Sequence, residues 1–242
     1  MIATIAAAAA RALLGRRRTV LIVLFAAVPV LVALLARDRG PNATETAAQL
    51  IDLLVIRAVL PITALVLGTA ALGSELEDGT AIFLLTSPVA RWRIVAAKLV
   101  VAAGGSALIA GGSALLAGLV VAVDDPSRGF VAAAVVGVIV GAVVYSALFL
   151  AASIVTSRAL ILGLIYTLVW EGTLASLFAG TRLFSVRQYV LSITDAIGGG
   201  SAHPFGDTLD GATAVVLAAV VLGLGLAVAI DRLASWEIGP AD

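Results

Sequence analysis

The sequence predicts an all-α polytopic membrane protein: six transmembrane helices, an N-terminal interfacial helix, and a cytoplasmic coupling helix between spans two and three. Three observations carry that expectation. The 242 residues are 62% hydrophobic and only 12% charged, whereas soluble domains carry about 25% charged and about 45–50% apolar residues. The mean hydropathy is +1.15. Apolar stretches of the ~20 residues needed to cross a ~30 Å hydrocarbon core recur along the chain. A formal net charge of zero gives no reason to expect nucleic acid as a partner. The absence of cysteine excludes disulfides, thiolate metal sites and cysteine nucleophiles. One histidine, His203, leaves no His-cluster metal site.

Residues 4–15 are Ala-rich and helix-prone and end at Gly15, a helix stop. Too short to span, they lie along the interface or form a frayed tail. Arg16-Arg17-Arg18 precede span one, expected at 19–36. Basic residues before an apolar run also describe a signal peptide, but Leu34-Leu35-Ala36 lacks the small-x-small pattern of cleavage. Gly40-Pro41-Asn42 marks a turn. Span two, 49–72, contains Pro61, where a kink is expected. Span three covers 94–121 and stops before Asp124-Asp125-Pro126-Ser127; span four covers 130–153. Thr156-Ser157-Arg158 turns the chain into span five, 159–180, with an interruption at Trp170-Glu171-Gly172 and an amphipathic region to about Val190. Gly198-Gly199-Gly200-Ser201 and His203-Pro204 read as loop. Span six covers 211–230, so residues 1–242 form a single transmembrane domain with both ends on one side.

Lys and Arg near the spans set the orientation. With a cytoplasmic N-terminus, the inner segments hold Arg11, Arg16, Arg17, Arg18, Arg91, Arg93, Lys98, Arg158 and Arg232. The outer segments hold Arg37, Arg39, Arg128, Arg182 and Arg187. That excess places both termini in the cytoplasm of a multi-pass protein of the cell (inner, cytoplasmic) membrane. Residues 73–93 then face inward and 172–210 face outward.

Residues 73–98 form a charged island in an apolar chain, holding Glu75, Glu77, Asp78, Arg91, Arg93 and the only lysine, Lys98. Gly79 suits a left-handed helix stop and Thr80 caps a new short helix. Ala81 to Leu85 gives a brief apolar turn. Ser87-Pro88 restarts helix, with Ser as cap and Pro at its first position. Lys98 is placed to snorkel to the interface. Helix, break, short helix, break and long helix is more structure than a chain reversal needs, though a decorated loop would also fit. The pattern Glu75-x-Glu77-Asp78-Gly79-Thr80, then Leu84-Leu85, Pro88, Arg91 and Lys98, resembles the ABC type-2 exporter permeases. Lead-in helix, span count and an outer loop after span five extend the resemblance over nearly the whole chain. It implies that this segment docks on a separate ABC ATP-binding subunit, with Glu75, Glu77 and Asp78 facing basic residues of that partner. It also implies a homodimer of permease copies and no cofactor on this chain, ATP and Mg belonging to the partner subunit. Independently, Lys98 follows Ala96-Ala97 and precedes Leu99, so the chain has no G-x-x-x-x-G-K-[ST] nucleotide loop.

Charges inside spans default to functional hypotheses. Arg57 lies ~10 Å below the outer start of span two. Glu171 lies ~18 Å above the inner start of span five, ~12 Å from the outer face. Matching depths predict an Arg57–Glu171 ion pair; the alternative is a solvated Glu171 and a lone, snorkelling Arg57. Trp170-Glu171 also resembles a recurrent feature of those permeases. Asp52, near the outer edge, reads as solvated. Gly137-Gly141, Ala103-Ala107-Gly111 and Ala219-Gly223-Ala227 offer small faces for close helix approach. Asp195, His203, Asp207 and Asp210 lack a metal-ligand spacing and read as solvated loop. Three functions remain in view: the permease subunit of an ATP-driven exporter in contact with membrane lipid, an intramembrane enzyme or scaffold, and an ion-coupled secondary carrier. An enzyme would need a polar cluster at membrane depth. A carrier would show an internal repeat, and none is evident between the two halves of the chain.

Overall fold

The computed structural model describes residues 17–36, 43–77, 90–122, 125–174, 179–198, 205 and 208–235. Every element among them is helical. Helices α1 (Arg17–Ala26) and α2 (Val28–Ala36) form an apolar rod interrupted at Ala27. Pro29 sits in the first turn of α2, where its missing N–H is tolerated. The lead-in helix expected at residues 4–15 lies outside the described residues. The second rod is α3 (Ala43–Leu50), a π-helical stretch (Ile51–Val59) and α4 (Leu60–Glu77). Pro61 gives the ladder no N–H, and the turns just before it are the widened ones of the π-helical stretch. The third rod is α5 (Arg91–Ser106), a π stretch (Ala107–Gly111) and α6 (Gly112–Val121). It starts behind Ala90, whose ψ of 132° is extended; the helix restart expected at Ser87-Pro88 lies outside the described residues. Lys98 is buried within the protein and does not snorkel.

Helix α7 (Asp125–Val155) is the central column. It packs against α4, α5, α6 and the later helices α8 (Ala159–Ile165), α9 (Val186–Gly198) and α10 (Gly211–Ala234). One core cluster gathers Ile51, Val55, Leu60, Tyr145, Phe149 and Tyr189, a second gathers Leu72, Ile94, Val95, Leu150 and Leu233, and a smaller third gathers Ala33, Ala47, Ala117, Val121 and Val131. Among the described residues, four helices are long and apolar enough to cross a membrane: Thr44–Gly73, Arg91–Val121, Arg128–Val155 and Gly211–Ala234. Val20–Ala36 and Ala159–Thr173 are apolar but shorter, about 25 and about 22 Å at 1.5 Å per residue.

Two features differ from expectation. Trp170-Glu171-Gly172 does not interrupt span five: a π-helical stretch (Tyr166–Leu174) runs through it. After a 3₁₀ turn (Ala179–Phe184), the amphipathic region forms α9, which continues past Val190 to Gly198. Its residues from Val186 to Thr194 are buried, apart from the partly exposed Arg187. It lodges on α7 where that helix has no side chains. A Cβ at Gly137 would lie 2.3 Å from Thr194 Oγ1 and 2.9 Å from the Val190 carbonyl oxygen. One at Gly141 would lie 2.5 Å from Val190 Cγ2 and 2.9 Å from Leu60 Cδ2. The Gly137-Gly141 face is therefore a helix seat. By contrast, Ala219, Gly223 and Ala227 lie on the exposed face of α10.

Gly137→Ala is expected to destabilise the protein by about 1–3 kcal/mol, because a backbone carbonyl blocks the added methyl. Gly223→Ala, with nothing within 4 Å of its Cβ position, stays within about 0.5 kcal/mol or gains slightly from helix propensity. Thermal unfolding in detergent measures both.

Candidate functional site

The described residues that carry chemistry converge where α9 begins. Tyr166 and Glu171 are five residues apart in one π stretch. In an α-helix that spacing would turn the two side chains about 140° apart. The i→i+5 ladder of a π-helix stacks them, and the Tyr166 hydroxyl donates to Glu171 Oε1 at 3.1 Å. The fully buried Tyr145 of α7 donates its hydroxyl to Glu171 Oε2. Its ring stacks on Phe149 at 5.8 Å, and Phe149 meets Tyr166 edge-on at 6.5 Å. Glu171 itself is buried.

Glu171 Oε1 also accepts the backbone N–H of Val186 at 2.8 Å and of Arg187 at 3.3 Å. These are the first amides of α9, donors without a partner inside their own helix. A carboxylate there also meets the positive end of the helix dipole. Glu171 is thus a cap supplied by another helix, beside the local cap Ser185, whose Oγ accepts from Gln188 N–H at 3.4 Å. The turn leading in is pinned as well. Trp170 Nε1–H donates to the Phe184 carbonyl at 3.3 Å, and the Tyr189 hydroxyl donates to the Leu183 carbonyl. Burial, with the nearby Glu171 charge, pushes the Tyr189 phenol up from its ordinary value. At the far end, Ser192 Oγ accepts from Leu209 N–H at 2.9 Å.

The Arg57–Glu171 ion pair is not made. Glu171 turns inward to the tyrosines, whereas Arg57 lies on the exposed face of its π stretch with its side chain 42% exposed. Depth alone does not specify facing. Arg57 instead reaches Asp52, Nε to Oδ2, at 3.5 Å. Asp52 is not merely solvated, because Arg187 grips it from α9: Nε to Oδ1 at 3.0 Å, and Nη2 to Oδ1 and Oδ2 at 2.8 and 2.7 Å. Such a fork is among the strongest side-chain pairings. By sequence alone Arg187 is no more than an outer-loop charge. The motif Ser185-Val186-Arg187-Gln188, an S-x-x-Q capping box, is the signal in the sequence for α9.

The island residues stand differently. Glu75 and Glu77 end α4 and Arg91 opens α5. Asp78, Gly79, Thr80, Leu84, Leu85 and Pro88 lie outside the described residues, as does the expected coupling helix. Arg91 Nη1 is buried without a hydrogen-bond partner among the described residues. Elsewhere, Asp210 caps α10, accepting from Thr213 N–H at 3.3 Å, and Asp195 accepts from the Thr208 hydroxyl at 3.2 Å.

A helical membrane protein with a clamped helix and buried charges at one end is the class that this geometry defines. Compared with known families, the chain matches the one described as ABC-2 family transporter protein over residues 4–230. It belongs to that family and is a permease of the ABC type-2 kind. No curated protein matches it.

Glu171→Ala leaves the Tyr145 hydroxyl and the Val186 and Arg187 amides without their acceptor, the Tyr166 hydroxyl keeping the Phe184 carbonyl at 3.4 Å, and each buried unmet donor costs about 1–3 kcal/mol. The variant is expected to lose several kcal/mol and to expose the Val186 and Arg187 amides to hydrogen exchange. Tyr145→Phe, which removes one bond, costs about 1 kcal/mol and leaves those amides protected.

Proposed function

We propose that this chain is the transmembrane subunit of an ATP-driven exporter, coupling nucleotide hydrolysis on a separate subunit to movement of a cargo across the membrane. The observation that carries the reading is membership of the ABC-2 family over residues 4–230 in a chain with no nucleotide loop of its own. Members of that family work with an ATP-binding subunit. ATP and Mg are held by that subunit, and this chain binds no cofactor.

In this reading the two shorter apolar helices cross with the four long ones. Val20–Ala36 and Ala159–Thr173 complete six spans, a short stretch being accommodated by local bilayer thinning. Both termini are cytoplasmic, as the Arg and Lys distribution suggests. Residues 73–93 then receive the ATP-binding subunit. Glu75, Glu77 and Asp78 supply the acidic face, Gly79, Thr80, Leu84, Leu85 and Pro88 shape a coupling helix, and Arg91 anchors its return. Two copies pair as a homodimer, and closure of the ATP-binding subunits moves the coupling helices and tips the bundles. On the outer side, α9 closes the bundle from its seat on Gly137 and Gly141. The scarcity of polar residues along the spans favours a hydrophobic or amphipathic cargo.

Co-purification with the ATP-binding subunit and cargo-stimulated ATPase activity test the reading. Reversing Glu75 and Glu77 to Lys is expected to reduce co-purification at least tenfold while leaving the thermal unfolding of the isolated chain unchanged. Full stimulated ATPase activity in that double variant would refute docking through the island.

A further inference from the structure

With Glu171 committed to two tyrosines and two amides, Arg57 keeps one long contact, to an Asp52 that Arg187 already holds. The geometry points to Arg57 as an anion-binding residue that takes the phosphate or carboxylate head of an amphipathic molecule. A guanidinium offers five N–H donors. Here the ion contact is Nε to Asp52 Oδ2 at 3.5 Å, longer than the ~2.7–2.9 Å of a charge-assisted bond. Asp52 is already taken by Arg187, which holds both its oxygens at 2.7–3.0 Å. An incoming anion therefore meets Arg57 beside a carboxylate whose charge the Arg187 fork offsets.

Position supplies the second half of the argument. Gln49, Leu53 and Arg57 are all exposed and spaced four apart, so they form one strip along the second span. Leu53, one position along that strip from Arg57, is 59% exposed. The strip therefore presents an apolar surface next to a cation, the complement of an acyl chain and its acidic head. Arg57 lies within the helix Thr44–Gly73, apolar and long enough to cross a membrane, where an exposed guanidinium is unfavourable and an anion drawn to it removes the mismatch. The occupant is named cargo only on the transport reading above. The binding itself requires no ATP-binding subunit, so either reading can fail alone.

The test uses the full chain in dodecyl maltoside and follows thermal unfolding with dodecyl phosphate, dodecyl trimethylammonium or inorganic phosphate added. Dodecyl phosphate is expected to stabilise the wild type saturably, and the cationic analogue is not. Arg57→Gln weakens the apparent affinity about tenfold or more, the scale of one charge-assisted bond, and Arg57→Lys keeps most of it. Arg57-dependent stabilisation by inorganic phosphate as well would assign the site to the free anion, the same chemistry from another source. Equal stabilisation of wild type and Arg57→Gln, or none in the wild type, overturns the proposal. So does loss of a dimer in Arg57→Gln by native mass spectrometry with no dodecyl phosphate effect, which would make a second copy the partner. Should Arg57→Gln not fold, the wild type against the two dodecyl compounds, with Arg57→Lys, still decides.

Discussion

The buried carboxylate of Glu171 is the constraint on which this end of the molecule depends. An ionised group away from water is tolerable only when its lone pairs are occupied. No cation contacts Glu171 among the described residues, so neutral donors must do so. Two come from tyrosines on different helices and two from the start of α9. Satisfying one side chain thereby fixes the relation of three elements: the central column α7, the π stretch Tyr166–Leu174, and α9. Once the start of α9 is fixed, Arg187 falls on Asp52 and Val190 and Thr194 fall on the side-chain-free face of Gly137 and Gly141. The Asp52–Arg187 fork and the glycine seat share a position that Glu171 sets.

The contrast with the opposite end is one of chemistry. Around Leu72, Ile94, Val95 and Leu150 the core is apolar contact, which tolerates sliding because dispersion has no direction. Around Glu171 the contacts are directional and made in pairs, and they hold in one geometry or are lost together. Hydrogen bonds inside a dry bundle persist until a donor is moved as a unit, and α9 is a unit of that size.

The spans were legible because a bilayer selects composition and length, and both survive in the bare sequence. Thr44–Gly73, Arg91–Val121, Arg128–Val155 and Gly211–Ala234 fall where hydropathy puts them. That Arg57 and Glu171 sit within apolar helices was legible for the same reason. Their facing was not, because a hydrophobic span that packs on many sides has little amphipathic signal, and an α-helical wheel misplaces residues in a π stretch. The helix α9 was blurred by its polar surroundings. A buried amphipathic helix on the flank of a bundle has neither the length of a span nor the exposure of a loop. Ser185 and Gln188 mark its start, but a capping box is four residues long and gains weight only from a clear apolar periodicity in the helix it opens.

The three π stretches among the described residues show where regular helix was given up. They fall in the second, third and fifth apolar helices, and not in the described parts of α7 or α10. Two of them carry polar pairs at the same spacing: Asp52 with Arg57, and Tyr166 with Glu171, each five residues apart. In an α-helix, residues five apart face directions about 140° different, so neither contact would form. The widened ladder forgoes regular i→i−4 bonds, and in return it stacks a donor over an acceptor inside one segment. At Glu171 the exchange is decisive. Were Tyr166–Leu174 α-helical with Tyr166 in place, the carboxylate would turn away from Tyr166 and from the amides that open α9. The unusual backbone is therefore the condition for the four hydrogen bonds of the buried Glu171 carboxyl group, and those bonds are the condition for the clamp on α9.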